Sequence, residues 1–186
     1  MNQDNQVIKD LTTYLSKKTS SHPTLSPLHP LLQPSSSAQV GLILTERFVN
    51  MPHETVPPMY TMLLEEISWA LEEKEPYAFT HYLVLSKAYT EIASELQSAE
   101  QPPSKKKKGG KKEGETFYFH PEDEVLQKHA LAYGSFDYET PVDDGASDSK
   151  RAFQELGVKP KAHLILIEKG KFEGAVDALK TYLGGA

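Results

Sequence analysis

Val7, Ile8, Leu11, Tyr14 and Leu15 recur at helical spacing and form one apolar stripe, which predicts a helix from Gln3 to Lys18. Asp4 is placed to cap it, and Lys17 and Lys18 suit the negative end of the helix dipole. The segment Gln39–Asn50 changes period: Val40-Gly41-Leu42-Ile43-Leu44 is a continuous apolar run of strand length. Such a run suits a strand covered on both faces, so it is expected at the centre of a sheet. Met59, Tyr60, Leu63, Leu64, Ile67, Ala70 and Leu71 then restore the helical period, from Pro57-Pro58 to about Lys74, with Pro76 as the stop.

Tyr77 to Lys87 is aromatic and apolar and predicts a long strand, with Ala88 to Leu96 either continuing it or turning helical. Thr116 to Phe119 predicts a short strand, and Pro121-Glu122-Asp123-Glu124 reads as a helix first turn. Leu131 to Tyr138 and Lys161 to Glu168 predict two more strands. Lys171 to Leu183 predicts a closing helix, with Phe172, Ala175, Val176, Leu179 and Leu183 inward and Gly184-Gly185 ending it. The order is that of an α/β (α+β) chain, one mixed sheet with helices on it.

Three stretches interrupt this pattern. Residues 19–37 carry Pro23, Pro27, Pro30 and Pro34 among serines, which argues against a regular element; Leu25, Leu28, Leu31 and Leu32 are expected to pin the loop to the body. Residues 99–115 form a low-complexity, basic tract that cannot bury anything and reads as a disordered insert. Residues 139–150 are an acidic Gly/Ser/Pro loop. At 186 residues, one domain spanning 1–186 is the natural expectation.

Charge sharpens the picture. The net charge is −6, yet Lys105, Lys106, Lys107, Lys108, Lys111 and Lys112 lie together, so the rest of the chain stands at −12. An acidic body with one basic loop points to a basic protein partner and away from general nucleic-acid binding. The lysine run fits a nuclear-import address as well as it fits a solvated insert. The absence of cysteine removes disulfides, thiolate nucleophiles and thiolate zinc sites. No apolar run approaches the roughly 20 residues that span a bilayer, and Met1–Gln6 lacks the features of a secretion signal, so no membrane partner is expected.

A search for catalytic chemistry returns little. The seven histidines have no ligand spacing, so no metal site is expected. Gly109-Gly110-Lys111-Lys112 lacks the leading glycine and the feeding strand of a phosphate loop, because Lys105 stands where that glycine would be. Asp143-Asp144-Gly145 lacks the ligands of a calcium loop, and Gly134-Ser135 lacks the second glycine of a nucleophile elbow. Glu46 and Arg47 fit a structural ion pair better than a site. Glu65-Glu66 and Glu72-Glu73 read as a solvated helix face rather than as catalytic carboxylates. No cofactor is expected.

The order Gly41-Leu42-Ile43-Leu44-Thr45-Glu46-Arg47-Phe48-Val49-Asn50, an amphipathic helix, then Tyr82-Leu83-Val84-Leu85-Ser86-Lys87 resembles the BCCIP family of eukaryotic nuclear proteins. Phe119-His120-Pro121-Glu122-Asp123-Glu124, Phe136-Asp137-Tyr138 and the ending Leu179-Lys180-Thr181-Tyr182-Leu183 look like its later segments, so the likeness runs from Val7 to Leu183. The resemblance implies a non-catalytic protein of the nucleus that also shuttles to the cytoplasm. Fungal members act as dedicated chaperones of a large-subunit ribosomal protein and assist nuclear export of a phosphoinositide kinase; animal members bind a recombination mediator and a cyclin-kinase inhibitor. It also implies a fold similar to GNAT acetyltransferases, although the acetyl-CoA loop (Arg/Gln-x-x-Gly-x-Gly/Ala) is not found here, so the likeness is not read as activity. Family members usually begin with an acidic tail and a further strand–helix unit, so this chain reads as a fragment or a shortened version.

The leading expectation is an acidic escort of a basic ribosomal protein, its contact surface drawn from Glu65, Glu66, Glu72, Glu73, Glu122, Asp123 and Glu124. Two rivals stand beside it: a degenerate GNAT-like acyltransferase, and a transport adaptor whose lysine run recruits nuclear transport factors.

Overall fold

The computed structural model describes residues 3–45, 51–91, 116–138 and 158–184. Helix α1 spans Gln3–Ser21, a 3-10 turn covers Pro23–Leu25, and α2 is Leu28–Leu31. Strand β1 (Val40–Leu44) leads through a 3-10 turn, His53–Thr55, into α3 (Val56–Glu72). There follow β2 (His81–Glu91), β3 (Thr116–Tyr118), α4 (Glu122–Lys128), β4 (Ala132–Asp137), β5 (Val158–Glu168) and α5 (Lys169–Leu183).

The strands make one five-stranded sheet in the order β1-β2-β5-β4, with β3 paired to β2 off that path. It is mixed: β1 runs parallel to β2 through Val40↔His81 to Leu44↔Leu85, whereas β3 runs antiparallel to β2 through Ala88↔Tyr118 to Thr90↔Thr116. The described residues group into two compact units. One takes residues 1–86, 120–134 and 164–186; the other takes 87–119 and 135–163.

The first unit holds the main core. Strand β5 contributes Leu164, Ile165, Leu166 and Ile167, all fully buried. Ile165 and Ile167 join Tyr82 and Val84 of β2 beneath α3, α4 and α5. Phe172 of α5 lies at the centre, stacked on Tyr82 at 4.3 Å between ring centroids and edge-on to Tyr60 of α3 at 6.0 Å. All five α5 residues expected to face inward are buried. Leu83, Leu164 and Leu166 alternate with these side chains and so face the other side of the sheet. There the N-terminal segment buries Leu25 and Leu28, and a Cβ built on Gly134 of β4 would lie 2.6 Å from Thr24 Oγ1.

The second unit is organised by aromatic and polar pairs. Tyr89 stacks on Phe117 at 5.3 Å and meets Phe119 at 5.1 Å. His163 is buried beside Tyr118 and shares a 2.8 Å hydrogen bond, at Nδ1, with Ser135 Oγ. Asp137 pairs with Lys159 and Lys161 at the surface.

The structure corrects three expectations. β1 is not central: it ends the strand path, with Leu42 40% and Leu44 65% exposed, and the strand buried on both faces is β5. Residues 19–37 are not devoid of regular structure, because α1 runs on to Ser21 and two short helical turns follow. Pro23 begins one turn, and Pro27 and Pro30 stand at the start of the other, where a backbone N–H has no helical partner to lose. The aromatic stretch from Tyr77 becomes a strand only at His81, and that strand continues through Ala88 to Glu91. Glu46–Asn50, the 99–115 insert and the 139–150 loop lie outside the described residues.

Helix α3 ends before Pro76 can stop it. Lys74 adopts a left-handed conformation (φ 64°), and Glu75 N–H donates to Ala70 O at 2.8 Å, the pattern of a Schellman cap. Glycine carries no Cβ penalty in that conformation, so Lys74→Gly should stabilise the protein by about 1 kcal/mol. Urea denaturation checks this; a midpoint that falls would show that the lysine side chain contributes more than its backbone strain costs.

Candidate protein-binding surface

The expected acidic residues do not share one surface. Glu65, Glu66, Glu72 and Glu73 are exposed along α3, and Glu124 is exposed on α4. Glu122 and Asp123 do not belong with them, being 1% and 0% exposed. Helix α4 is only seven residues long and buries Glu122, Asp123, Val125 and Leu126 together, so its first turn points inward and only the opposite side reaches solvent. Asp123 Oδ2 accepts a 2.6 Å hydrogen bond from Ser86 Oγ of β2, which makes this carboxylate part of the packing. The lysines Lys105–Lys108, Lys111 and Lys112, like Glu46 and Arg47, lie outside the described residues.

Five of the seven remain at the surface, and α3 organises four of them. At about 100° per residue, Glu65, Glu66, Glu72 and Glu73 fall within an arc of about 120°, opposite the stripe that packs on the sheet. They span roughly 12 Å of helix axis at 1.5 Å per residue, so their fields overlap within about one or two screening lengths. Inside the same arc lie Met62, 57% exposed, and Trp69, 60% exposed. Trp69 is the chain's one tryptophan. An exposed Trp and Met framed by carboxylates combine an apolar anchor with the ring face and charge that attract a guanidinium or ammonium group.

Beside this face runs a groove between α3 and the open edge of β1. One lobe, about 450 Å³, is bounded by Leu42–Thr45 on the strand and by Met59, Met62 and Leu63 on the helix. A second lobe, about 370 Å³, shares Leu42, Ile43, Leu63 and Glu66 with the first and continues to Tyr77 and Phe79. Among the described residues, the charged ones lining either lobe are Glu66 and Glu122. Pattern reading missed the groove because it forms between two elements. Two signals bore on it: Met62 lies off the apolar stripe of α3, and Leu42 and Leu44 belong to a strand that turned out to be an edge.

Among the described residues no group of three or more His, Asp or Glu side chains could hold a metal ion, and no helix is long and apolar enough to cross a membrane. The Ser135–His163 pair, like Thr24–His22 and Thr80–His81, sets a hydroxyl against an imidazole, but it is the buried one. Burial lowers the His163 pKa from 6.5 to about 4, so it is a neutral, packed imidazole near pH 7.

The described residues thus define a mixed α/β scaffold that presents an acidic, Trp-bearing helix face beside an apolar groove. Comparison with known proteins then gives the family. The BCCIP family model matches residues 1–126, and the chain belongs to that family. It is 57% identical over 181 residues to the protein bcp1 of Emericella nidulans, covering 97% of this chain and 62% of that protein. It is 46% identical over 180 residues to the protein bcp1 of Schizosaccharomyces pombe, covering 95% of this chain and 63% of that one. The chain thus spans about 62% of the length of the curated relatives it matches. The crystal structure of BCP1 from Saccharomyces cerevisiae shares the fold, with a TM-score of 0.54 at 20% identity over 92% of this chain and 57% of that chain.

The buried histidine sets a pH dependence. The unfolded chain takes up a proton near pH 6.5 that folded His163 accepts only near pH 4. The associated stability is therefore complete above pH 6.5 and lost as pH falls toward 4, by on the order of 3 kcal/mol in total. His163→Gln should flatten the slope of unfolding free energy against pH in that window, measured by urea titrations. An unchanged slope would remove His163 as its source.

Proposed function

We propose that this chain is a non-catalytic binding protein of the nucleus that escorts a basic ribosomal protein of the large subunit and contributes to nuclear export of a protein cargo, such as a phosphoinositide kinase. The observation that carries the reading is the outer face of α3, where Glu65, Glu66, Glu72 and Glu73 frame the exposed Met62 and Trp69. A basic ribosomal protein carries the Lys and Arg side chains such a face attracts, and covering them suppresses premature contact with RNA phosphates. Membership of the BCCIP family and the −12 charge outside the lysine run agree with this. The lysine run supplies the import address in this reading, with shuttling between nucleus and cytoplasm as its consequence.

The experiment is affinity purification from nuclear extract at low and high salt, with identification by mass spectrometry. A single basic ribosomal protein should be recovered, weakened by salt and lost with Glu65→Lys, Glu66→Lys, Glu72→Lys and Glu73→Lys combined. Its retention by that variant would remove α3 as the surface, and recovery of transport factors alone would favour an adaptor role.

The fold is proposed to be related to the GNAT acetyltransferases without their cofactor binding. Acetyl-CoA should then leave the melting temperature unchanged, since a ligand of the native state must raise it by mass action. A concentration-dependent rise would support the acyltransferase alternative.

A further inference from the structure

We infer that the outer face of α3 reads arginine: a guanidinium group of the protein partner lies flat on the indole of Trp69, and the glutamates around the ring accept its N–H groups. This rests on the escort reading above and names the side chain by which that client is held.

The helix sets the geometry. Trp69 is 60% exposed, and Glu65, Glu66, Glu72 and Glu73, all exposed, stand four and three residues before it and three and four after it. Those are the nearest surface neighbours a helical residue has, with Cβ atoms about 5–6 Å away. At about 100° per residue, Trp69 falls near the middle of the arc, with Glu65 and Glu72 on one flank and Glu66 and Glu73 on the other. Helical side chains lean toward the N-terminus, so the carboxylates of Glu72 and Glu73 lean back over the turn that carries the ring.

The ring determines which cation fits. Carboxylates alone attract ammonium and guanidinium groups alike, but a guanidinium is planar, more weakly hydrated and able to stack on an aromatic face. Its N–H donors lie in the plane of the group, so stacking leaves them directed at carboxylates around the ring's margin. A lysine ammonium, compact and strongly hydrated, has no plane to stack and gives up more water to take the same place. Like charge disfavours other occupants: a second copy would bring its own glutamates against these, and a nucleic acid would bring phosphates. The chain's own basic run, Lys105–Lys108 with Lys111 and Lys112, contains no arginine, so a face that read charge alone would not tell a client from it. Met62, 57% exposed and two turns before Trp69, offers apolar surface to the residues beside that arginine.

Trp69 is the chain's one tryptophan, so intrinsic fluorescence reports on this face directly. The test titrates the full chain with an alternating arginine and serine peptide and with its lysine and serine counterpart of equal length and charge. The arginine peptide should perturb Trp69 emission and bind at least about threefold more tightly, as a cation–π contact at an exposed site allows. Anisotropy of fluorescein-labelled peptides extends the comparison to variants without the indole. Trp69→Leu keeps apolar bulk and removes the aromatic face; it should reduce the preference for arginine to less than about 1.5-fold. Trp69→Phe retains a smaller ring and should keep an intermediate preference. Glu66→Gln with Glu73→Gln should weaken both peptides and leave the preference in place, because charge attracts either cation and the ring chooses between them. Circular dichroism melts identify any variant that fails to fold; Trp69→Gln then replaces Trp69→Leu, with the same loss of preference expected.

Equal binding of the two peptides to the native chain would overturn the inference, and so would a preference for arginine that survives Trp69→Leu. So would self-association in sedimentation that Trp69→Leu abolishes, since the occupant of the ring would then be a second copy. Capture of the ribosomal protein at full strength by Trp69→Leu would leave the escort reading standing and remove this one. Trp69-dependent selection of arginine with no ribosomal protein captured by the native chain would support the arginine site and remove the escort reading.

Discussion

The burial of β5 is the constraint on which the main core depends. Six consecutive residues, Ala162 to Ile167, are buried, and such a run is stable only where both faces of the strand are covered. One face is covered through Phe172, which brings Tyr60 of α3 and Tyr82 of β2 into a single aromatic contact. Because Phe172 follows the strand by four residues, strand and covering helix are positioned by one short stretch of chain. Burial of a side chain of this size contributes about 1.5–3 kcal/mol, a large fraction of a typical domain's net stability. The orientation of α3 follows from that packing, and with it the direction in which its glutamates point.

The outer face of α3 carries Trp69 and Met62 where packing gives them no return. Exposing a tryptophan forgoes apolar burial, and placing it among four carboxylates adds mutual repulsion along one helix face. Neither is required by the sheet, which is already covered by the opposite stripe of the same helix. In the proposed escort role a basic partner would relieve both at once, by neutralising the acids and by covering the ring. Asp123 makes the contrasting case: its carboxylate is held by Ser86 in the interior and contributes to the packing of α4 instead of to a surface.

Much of the fold was legible from period alone. The five inward residues of α5 and the positions of β3 and β4 follow from 3.6- and 2-residue patterns that local geometry imposes. The acids of α3 were legible for the same reason, since spacing along one helix fixes which side chains share a face. Patterns that look alike locally were harder to separate. The apolar runs of β1 and β5 are almost interchangeable as sequence, yet one lies at an edge and the other inside.

The sequence by itself therefore determined most of the periodic elements, the acidic balance of the body and the faces of α3 and α5, because each depends on residues a few positions apart. Only the tertiary structure decided that β1 is an edge strand, that Glu122 and Asp123 lie inside, and that a groove opens between β1 and α3. Those outcomes depend on which distant segments meet: sheet order, the inward turn of α4, and the gap between a helix and a strand that are joined by a loop but packed through β2 and β5. Neighbouring residues carry no record of such meetings, since the same local pattern satisfies its hydrogen bonds and buries its stripe in more than one place.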